Sequence, residues 1–355
     1  MAARLPLLAV VVRRSRALAT LGPQTAQIHL SSHRRITYGW WAYILGERTM
    51  SKFKENSKII TVEGNLSSGK GDLAKKLADK LGMLYIPEVD IHYWDLKFGD
   101  GKKLSAQFNG NCSIKKFYTD PKSPDGNSYR LQAWMYHIRT LQYSDALEHL
   151  LQTGQGVVLE RSPYSDYVFM EAMYKQGYIR KECVDHYNEI KGNSICEFLP
   201  PHLIIYLDVP VEEIKKRLQQ HGETYENNVS TAYLESIEDV YKKSFLPEMR
   251  ETSNVLHYEA IKAPSEEMVT EDIGLLKWDK GPWLEQSNVS FHLLRQLVQN
   301  KSRIIDLTTI PRYLPEITVG AHEYDEMYHT YRQIPGRKYA KGFNADLGDK
   351  WIWLK

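Results

Sequence analysis

Short apolar runs without clean polar alternation recur through the middle of the chain. The first contains Ile59, Ile60 and Val62, and later runs lie at 84–86, 157–159, 203–209 and 255–258. Such runs are typical of strands covered on both faces. Segments with helical spacing lie between or beside them, at about 131–152, 164–176, 181–191, 211–220 and 231–246. This alternation predicts an α/β fold with a parallel, doubly wound sheet of about five strands flanked by helices.

The loop after the first run has the composition of a phosphate-binding loop, within KIITVEGNLSSGKGD at 58–72. Glycines let backbone N–H groups close around phosphate, and a lysine reaches the outer phosphates. The candidate phosphate-binding residues are Gly64, Ser67, Ser68, Gly69 and Lys70. Leu73, Leu77 and Leu81 then recur every four positions before Gly82, which predicts a helix that ends there.

The position after this lysine departs from a working phosphate loop. Ser or Thr at that position ligates the magnesium that accompanies a nucleotide, whereas Gly71 has no side chain. Asp72 adds a carboxylate to the first turn of the helix, where it competes with a phosphate for the helix dipole. The sequence therefore predicts a P-loop kinase fold in which magnesium binding and phosphate transfer are impaired.

The first 35 residues have the composition of a mitochondrial transit peptide. They contain six arginines and no acidic residue, and the first acid of the chain is Glu47. A secretory signal is the alternative, but the short apolar run at 5–12 leads into arginines and not into a small-residue cleavage site. Removal of 1–35 lowers Lys+Arg from 46 to 40 against 44 Asp+Glu, a net charge near −4. That balance argues against a nucleic-acid binder, and no apolar run is long enough for a membrane span.

Two extensions flank the predicted kinase-like domain at 58–260. An arm at 36–57 carries Trp40, Trp41 and Tyr43, and it either packs on its own domain or docks on another subunit. The C-terminal extension, 261–355, combines helical segments with an extended tail. Its tryptophans are predicted anchors for a neighbouring protein, namely Trp278, Trp283, Trp351 and Trp353. The segment 97–130 is predicted to be a long surface loop with one short helix.

The cysteines and glycines exclude several cofactors. Cys112, Cys183 and Cys196 are isolated thiols without the spacing of a zinc or iron–sulfur site. No nicotinamide or flavin fingerprint is found in the sequence. The glycines at 154 and 156 precede a strand, so they are interpreted as a helix-to-strand turn.

Together these motifs resemble the deoxyribonucleoside kinase family over about 200 residues. The resemblance implies that Glu88 deprotonates the nucleoside 5′-hydroxyl and that Arg161, in LERSPYSDYVFMEAM, contacts the same end of the nucleoside. It further implies that Gln132 reads the base edge. Two residues are implied at the sugar 3′-hydroxyl, Tyr118 and Glu223, and Glu160 is implied to face magnesium through water.

The predicted lid departs from the family pattern on the phosphate side. Its sequence, EEIKKRLQQHGETYENN, keeps Lys215, Lys216 and Arg217 but has Gln219 where the pattern has a further arginine. Glu223 lies one residue out of register. The nucleoside side is therefore largely kept, while the phosphate-donor side is weakened.

These departures, with the transit peptide and the added tail, resemble the kinase-like accessory subunits of mitochondrial complex I. That resemblance implies a peripheral, matrix-side position at the inner membrane, other complex I subunits as partners, and a role in assembly or stability. No cofactor is then required, and the question of a bound nucleoside or nucleotide stays open. The alternative is a working mitochondrial deoxyribonucleoside kinase, which is favoured by Lys70, Glu88, Glu160 and Arg161.

Overall fold

A computed structural model of the chain describes residues 38–97, 102–259 and 264–334. The predicted transit peptide, Trp351 and Trp353 lie outside these residues. Within them, five strands form one parallel sheet in the order β2-β3-β1-β4-β5. The strands are β1 (Ile59–Gly64), β2 (Leu84–Ile86), β3 (Val157–Glu160), β4 (Leu203–Asp208) and β5 (Asn254–Glu259). The predicted α/β fold and its five strands are confirmed.

Helices cover both faces of the sheet and continue beyond it. They are α1 (Trp40–Ile44), α2 (Lys70–Leu81), α3 (Tyr93–Lys97), α4 (Ile114–Thr119), α5 (Asn127–Thr153), α6 (Tyr167–Lys175), α7 (Lys181–Ile195), α8 (Val211–His221), α9 (Thr231–Val240), α10 (Leu246–Met249), α11 (Glu266–Leu275), α12 (Asn288–Gln299), α13 (Lys301–Leu307) and α14 (Ala321–Gln333). A π-helical turn, Tyr241–Phe245, joins α9 to α10. Single 3₁₀ turns lie at Met50–Lys52, Ala106–Phe108, Glu226–Asn228 and Pro282–Glu285.

The structure differs from the predicted elements in two segments. Helix α5 begins at Asn127, inside the predicted surface loop, because the Asn127 side chain accepts from Ser113 N (2.8 Å) and donates to Ser113 O (3.0 Å). Helix α14 lies in the predicted extended tail, where Tyr324 and Tyr328 stack one turn apart. The helix-to-strand turn at 154–156 is confirmed, with Gly154 in the left-handed region (φ 73°).

The C-terminal extension completes the core of the kinase-like domain. Val269 of α11 is fully buried in a cluster with Leu73 and Leu77 of α2. The indole Nε1 of Trp283 donates to Pro200 O at 2.6 Å, and Lys58 lies 4.5 Å from the ring centre of Trp278. These two tryptophans therefore pack against their own chain, in contrast to the predicted role as anchors for a neighbour.

The N-terminal arm packs on α12 while leaving two tryptophans exposed. Tyr38 is buried, with its hydroxyl 2.7 Å from Nδ1 of His292 and the Arg295 guanidinium 3.8 Å from its ring centre. By contrast, Trp40 and Trp41 retain 56% and 70% of their exposure. The arm is thus held by its own chain and still presents large apolar side chains to the outside. No described helix has the length and apolar character needed to cross a bilayer.

Candidate nucleoside and phosphate site

Three neighbouring strand ends supply the charged groups of the site. Strand β1 leads into the loop before α2, Glu88 follows β2, and Arg161 follows β3. Because β2, β3 and β1 are adjacent and parallel, their carboxyl ends meet at one edge of the sheet, where ligands bind in such folds. Arg161 has φ of +62°, a left-handed conformation that is rare outside glycine and that points to a functional constraint.

A cavity of about 320 Å³ opens at this edge, within the size range of small-molecule sites. Apolar side chains such as Leu131, Met135 and Phe169 form much of its wall. The predicted site residues that line it are Ser67, Lys70, Glu88, Tyr118, Gln132 and Arg161. The structure therefore brings four of the five predicted nucleoside residues and the loop lysine around one space, and Glu223 is the exception.

Glu88 lies at the centre of a cationic group. Its carboxylate accepts from Arg161 Nη1, lies 2.8 Å from Lys70 Nζ and lies 3.6 Å from Arg139 Nη2. Burial opposes ionisation of this carboxyl, but the charges of Arg161, Lys70 and Arg139 hold its pKa well below its usual range. A carboxylate in this state is a weak proton acceptor for a hydroxyl group.

The end of the cavity near Gln132, the residue predicted to read a base, contains two charged residues that sequence reasoning missed. Asp166 is fully buried and accepts from Arg139 Nη1, from Gln132 Nε2 at 2.6 Å and from Tyr187 Oη at 2.7 Å. Both Asp166 and Arg139 line the cavity with Gln132. Arg139 lies on α5, where a lone arginine is usually solvated, so only the buried environment reveals its role. The Gln132 amide nitrogen is engaged by Asp166, which leaves the amide oxygen as an acceptor for a ligand.

The end of the cavity near Tyr118 requires a correction to the carboxylate that was predicted there. Glu226, together with Tyr225, lines the cavity, whereas Glu223 does not. The Glu223 backbone N–H instead donates to Glu226 Oε2 at 2.9 Å. Tyr118 lies at the cavity as predicted, and its ring stacks on Tyr225 with centres 6.0 Å apart. Glu226 begins a single 3₁₀ turn, Glu226–Asn228, and residue spacing alone does not show that this turn lies at the cavity.

The phosphate loop is folded but tightly held by the chain. Gly69 is left-handed (φ 86°) immediately before α2, and Gly64 O accepts from Arg161 Nη2 at 3.0 Å. The Ser68 side chain is buried, and its hydroxyl has no partner among the described residues. Arg217 of α8 donates to Ser67 O at 3.2 Å, so the predicted lid reaches the loop. Gly64, Ser68 and Gly69 belong to the loop without lining the cavity.

The residues present do not fit the magnesium that this type of site implies. Glu160, the predicted metal-facing residue, accepts a hydrogen bond from the Tyr85 hydroxyl. A Cβ at position 71 would lie 3.0 Å from both Glu160 carboxylate oxygens, so the carboxylate fills the space of the missing side chain. Among the described residues, the group of three close potential ligands is Asp208, His257 and Glu259, which does not include Glu160.

Comparison with known families agrees with this geometry. Residues 60–274 match the family described as deoxynucleoside kinase. The match includes the phosphate loop, every residue at the cavity and all but the last residue of helix α11. A solved structure of deoxyadenosine kinase from M. mycoides has a TM-score of 0.48 and 16% identity, and the alignment covers 61% of this chain and 100% of that one. The chain belongs to the deoxynucleoside kinase family.

Two relatives match along the entire length. The Bos taurus protein "NADH dehydrogenase [ubiquinone] 1 alpha subcomplex subunit 10, mitochondrial" is 57% identical over 340 residues, covering 96% of this chain and 99% of its own. The Mus musculus protein of the same name is 56% identical over 355 residues, covering both chains completely. Within the kinase family, the chain groups with these mitochondrial NADH dehydrogenase subunits, which confirms both resemblances found in the sequence.

Proposed function

We propose that this protein is a non-catalytic accessory subunit of mitochondrial complex I, the NADH:ubiquinone oxidoreductase. Its role is to support assembly or stability of the complex, from a peripheral position on the matrix side of the inner membrane. Relatives named as subunits of this dehydrogenase match the arm, the kinase-like domain and the C-terminal extension alike. The other subunits of complex I are its partners.

The observation that carries the non-catalytic assignment is the ion pair between Lys70 and Glu88. Phosphoryl transfer depends on cations that neutralise the moving phosphate and on a carboxylate that orients the acceptor hydroxyl. Here the loop cation and the acceptor carboxylate lie 2.8 Å apart and neutralise each other. To contact phosphate, Lys70 must leave a pocket where its side chain is only 10% exposed. Gly71 offers no hydroxyl ligand, and Glu160 is hydrogen-bonded to Tyr85. The site therefore lacks the ligands for the metal that would offset this cost.

The exposed part of the N-terminal arm is the proposed contact with a neighbouring subunit. Leu45 of the arm is 84% exposed, beside Trp40 and Trp41, and Leu293 on the adjoining helix α12 is 61% exposed. Aromatic and aliphatic side chains of this size supply most of the binding energy at protein interfaces. A partner with an apolar groove fits this surface.

A rescue experiment in cells that lack the protein tests the proposed function. A Lys70→Met variant, in which Glu88 keeps Arg161 and Arg139, should restore the amount of assembled complex I to the wild-type level, as read on native gels. The same variant is inactive in any kinase mechanism that uses this lysine. Loss of assembled complex with this variant, although the protein is present at the wild-type level, would show that phosphate chemistry is part of the function.

Surface variants test the interface with a matched control. Trp40→Ser with Trp41→Ser should leave the melting temperature of the purified protein unchanged and strongly reduce its incorporation into complex I. Leu275→Ser is the control, because Leu275 is 82% exposed on α11, outside the arm. Equal incorporation of both variants would remove the arm from the proposed interface.

The second candidate function is a mitochondrial deoxyribonucleoside kinase, and the intact cavity favours it. Glu88, Gln132 and Arg161 line a space of about 320 Å³ that suits a nucleoside. We propose that this cavity binds a nucleoside or nucleotide as a stabilising ligand, which raises stability by RT ln(1 + [L]/Kd).

A kinase assay with ATP, Mg²⁺ and the four deoxynucleosides separates the two candidate functions. Turnover above about 1 s⁻¹, the lower end for kinases, would favour the enzyme.

A further inference from the structure

Tyr85 and Gly71 both lie next to one buried carboxylate, that of Glu160. Glu160 is 8% exposed, and its Oε1 accepts the hydrogen bond from the Tyr85 hydroxyl. On its other side, both carboxylate oxygens lie 3.0 Å from the position that a Cβ of residue 71 would take. That separation is shorter than ordinary van der Waals contact, so any side chain at position 71 requires the carboxylate to move.

We propose that Tyr85 and Gly71 form a coupled pair. Together they keep a divalent cation from binding beside the phosphate loop, so that the loop binds a phosphorylated nucleoside without metal. The inference rests on the proposed nucleotide role of the cavity. Tyr85 stabilises the buried Glu160 carboxylate with a hydroxyl proton, which competes for the lone pair that a cation or its water would use. Because Gly71 has no side chain, the space beside it is free for the Glu160 carboxylate that Tyr85 holds in place.

Because of this coupling, the missing hydroxyl at position 71 accounts for only part of the loss of the cation position. Serine at this position would restore one potential metal ligand. Its Cβ would also meet Glu160, which Tyr85 still fixes in place. A cation site therefore requires release of the carboxylate as well as the hydroxyl, and Gly71→Ser alone should not create one.

A melting experiment without any ligand tests the coupling directly. Alanine is a better helix former than glycine, so Gly→Ala in an open helical position raises the melting temperature. Gly192 on α7 has nothing within 4 Å of a built Cβ, and Gly192→Ala is the matched control that should raise it in every background. Gly71→Ala should not raise the melting temperature of the wild-type protein. In the Tyr85→Phe background, the same change should raise the melting temperature.

Tyr258→Phe controls for the loss of a tyrosine–carboxylate hydrogen bond elsewhere. Its hydroxyl donates to Asp272 at 2.6 Å, and it is also partly buried. In the Tyr258→Phe background, Gly71→Ala should behave as it does in the wild type. Additive effects of Gly71→Ala and Tyr85→Phe would overturn the inference, because coupled neighbours must deviate from additivity.

A binding experiment tests the consequence for metal. Affinity for the four deoxynucleoside triphosphates is measured by isothermal titration with excess Mg²⁺ and with EDTA. The wild-type protein and Gly71→Ser should bind equally, within about threefold, in both conditions. The Gly71→Ser, Tyr85→Phe double variant should bind at least about tenfold more tightly with Mg²⁺. Tighter binding with Mg²⁺ by the wild type or by Gly71→Ser alone would overturn the inference.

The two experiments separate failure of this inference from failure of the proposed pocket. If none of the proteins binds a nucleotide, the proposed ligand role of the cavity is wrong. The melting comparison then decides whether Tyr85 and Gly71 are coupled, and additive values there reject the pair as well.

Discussion

At the nucleoside end of the cavity, the carboxylate of Asp166 is fully buried among its partners, whereas at the phosphate end Glu88 pairs with Lys70 and keeps 29% of its side-chain exposure. Asp166 is held by Arg139, Gln132 and Tyr187, and the cavity beside it stays open. Lys70, in contrast, is paired with Glu88. The two ends of one site therefore retain similar residue types but bury their carboxylates to different extents.

This difference shows how a kinase scaffold can pair the charges at its phosphate end and still keep an open pocket. The groups at the nucleoside end are part of the buried core, and removal of one partner leaves an uncompensated buried charge. At the phosphate end, Glu88 keeps Arg161 and Arg139 when Lys70 is removed, so the loss of Lys70 costs the fold little. We expect the nucleoside end to dominate stability, and each of the following changes tests that contrast.

The largest effect is expected for Asp166→Ala. It removes the acceptor of three hydrogen bonds and leaves Arg139, which is 4% exposed, with only the more distant Glu88 as its ionic partner. The free energy of unfolding should fall by about 3–5 kcal/mol, measured by urea denaturation. Asp185→Ala is the control, because its ion pair with Lys181 is on the surface and the change should not alter stability measurably. A loss below about 1 kcal/mol for Asp166→Ala would contradict the contrast.

The next effect concerns the pH dependence of Glu63, which lies at the end of β1 beneath the phosphate loop. Burial raises the pKa of Glu63 to about 7, despite hydrogen bonds from Ser162 and Tyr241 and the nearby arginines. Because the folded state binds this proton more tightly than the unfolded state, the contribution is full below about pH 4.5 and is lost as pH rises towards 7.

We therefore expect Glu63→Gln to flatten the stability profile. Over the full window from about pH 4.5 to pH 7, the wild type should lose about 3 kcal/mol more than the variant, since each pKa unit corresponds to about 1.4 kcal/mol. Urea denaturation at intervals of half a pH unit gives both profiles. Parallel profiles for the two proteins would show that Glu63 does not titrate in this range.

A smaller effect, on binding and not on folding, is expected for the two lid carboxylates. Glu226→Gln should weaken deoxynucleoside binding about tenfold, which corresponds to about 1.4 kcal/mol, because it removes a charged hydrogen-bond acceptor from the cavity. Glu223→Gln, the matched change three residues earlier, should leave binding unchanged. Isothermal titration measures both. The reverse ranking would restore the assignment that residue spacing predicts.

The smallest effect is expected for Lys70→Met. Glu88 keeps Arg161 and Arg139 after this change, so the free energy of unfolding should fall by only about 1 kcal/mol. Deoxynucleoside affinity should stay within about threefold of the wild type. A loss as large as that of Asp166→Ala would mean that both ends of the cavity support the fold equally.

Much of the fold was predictable because its elements are encoded locally. The runs at 59–64 and 203–208 are buried on both faces, and the four-residue spacing of Leu73 and Leu77 is the buried face of α2. The left-handed Gly82 that ends this helix was also visible in the sequence. The start of α5 was not predicted, because it depends on a contact between Asn127 and Ser113 that is distant in the chain.

By itself, the sequence determined the class of fold and the phosphate loop, because these follow from periodicity, spacing and motif. Its resemblance to the deoxyribonucleoside kinases implied Glu88, Tyr118, Gln132 and Arg161 as site residues. Only the tertiary structure decided that Asp166, Arg139 and Glu226 belong to the cavity and that Tyr85 engages Glu160. It also decided that Trp283 packs inward while Trp40 is exposed. The physical reason is that burial and charge pairing depend on residues far apart in the chain, which a local pattern does not specify.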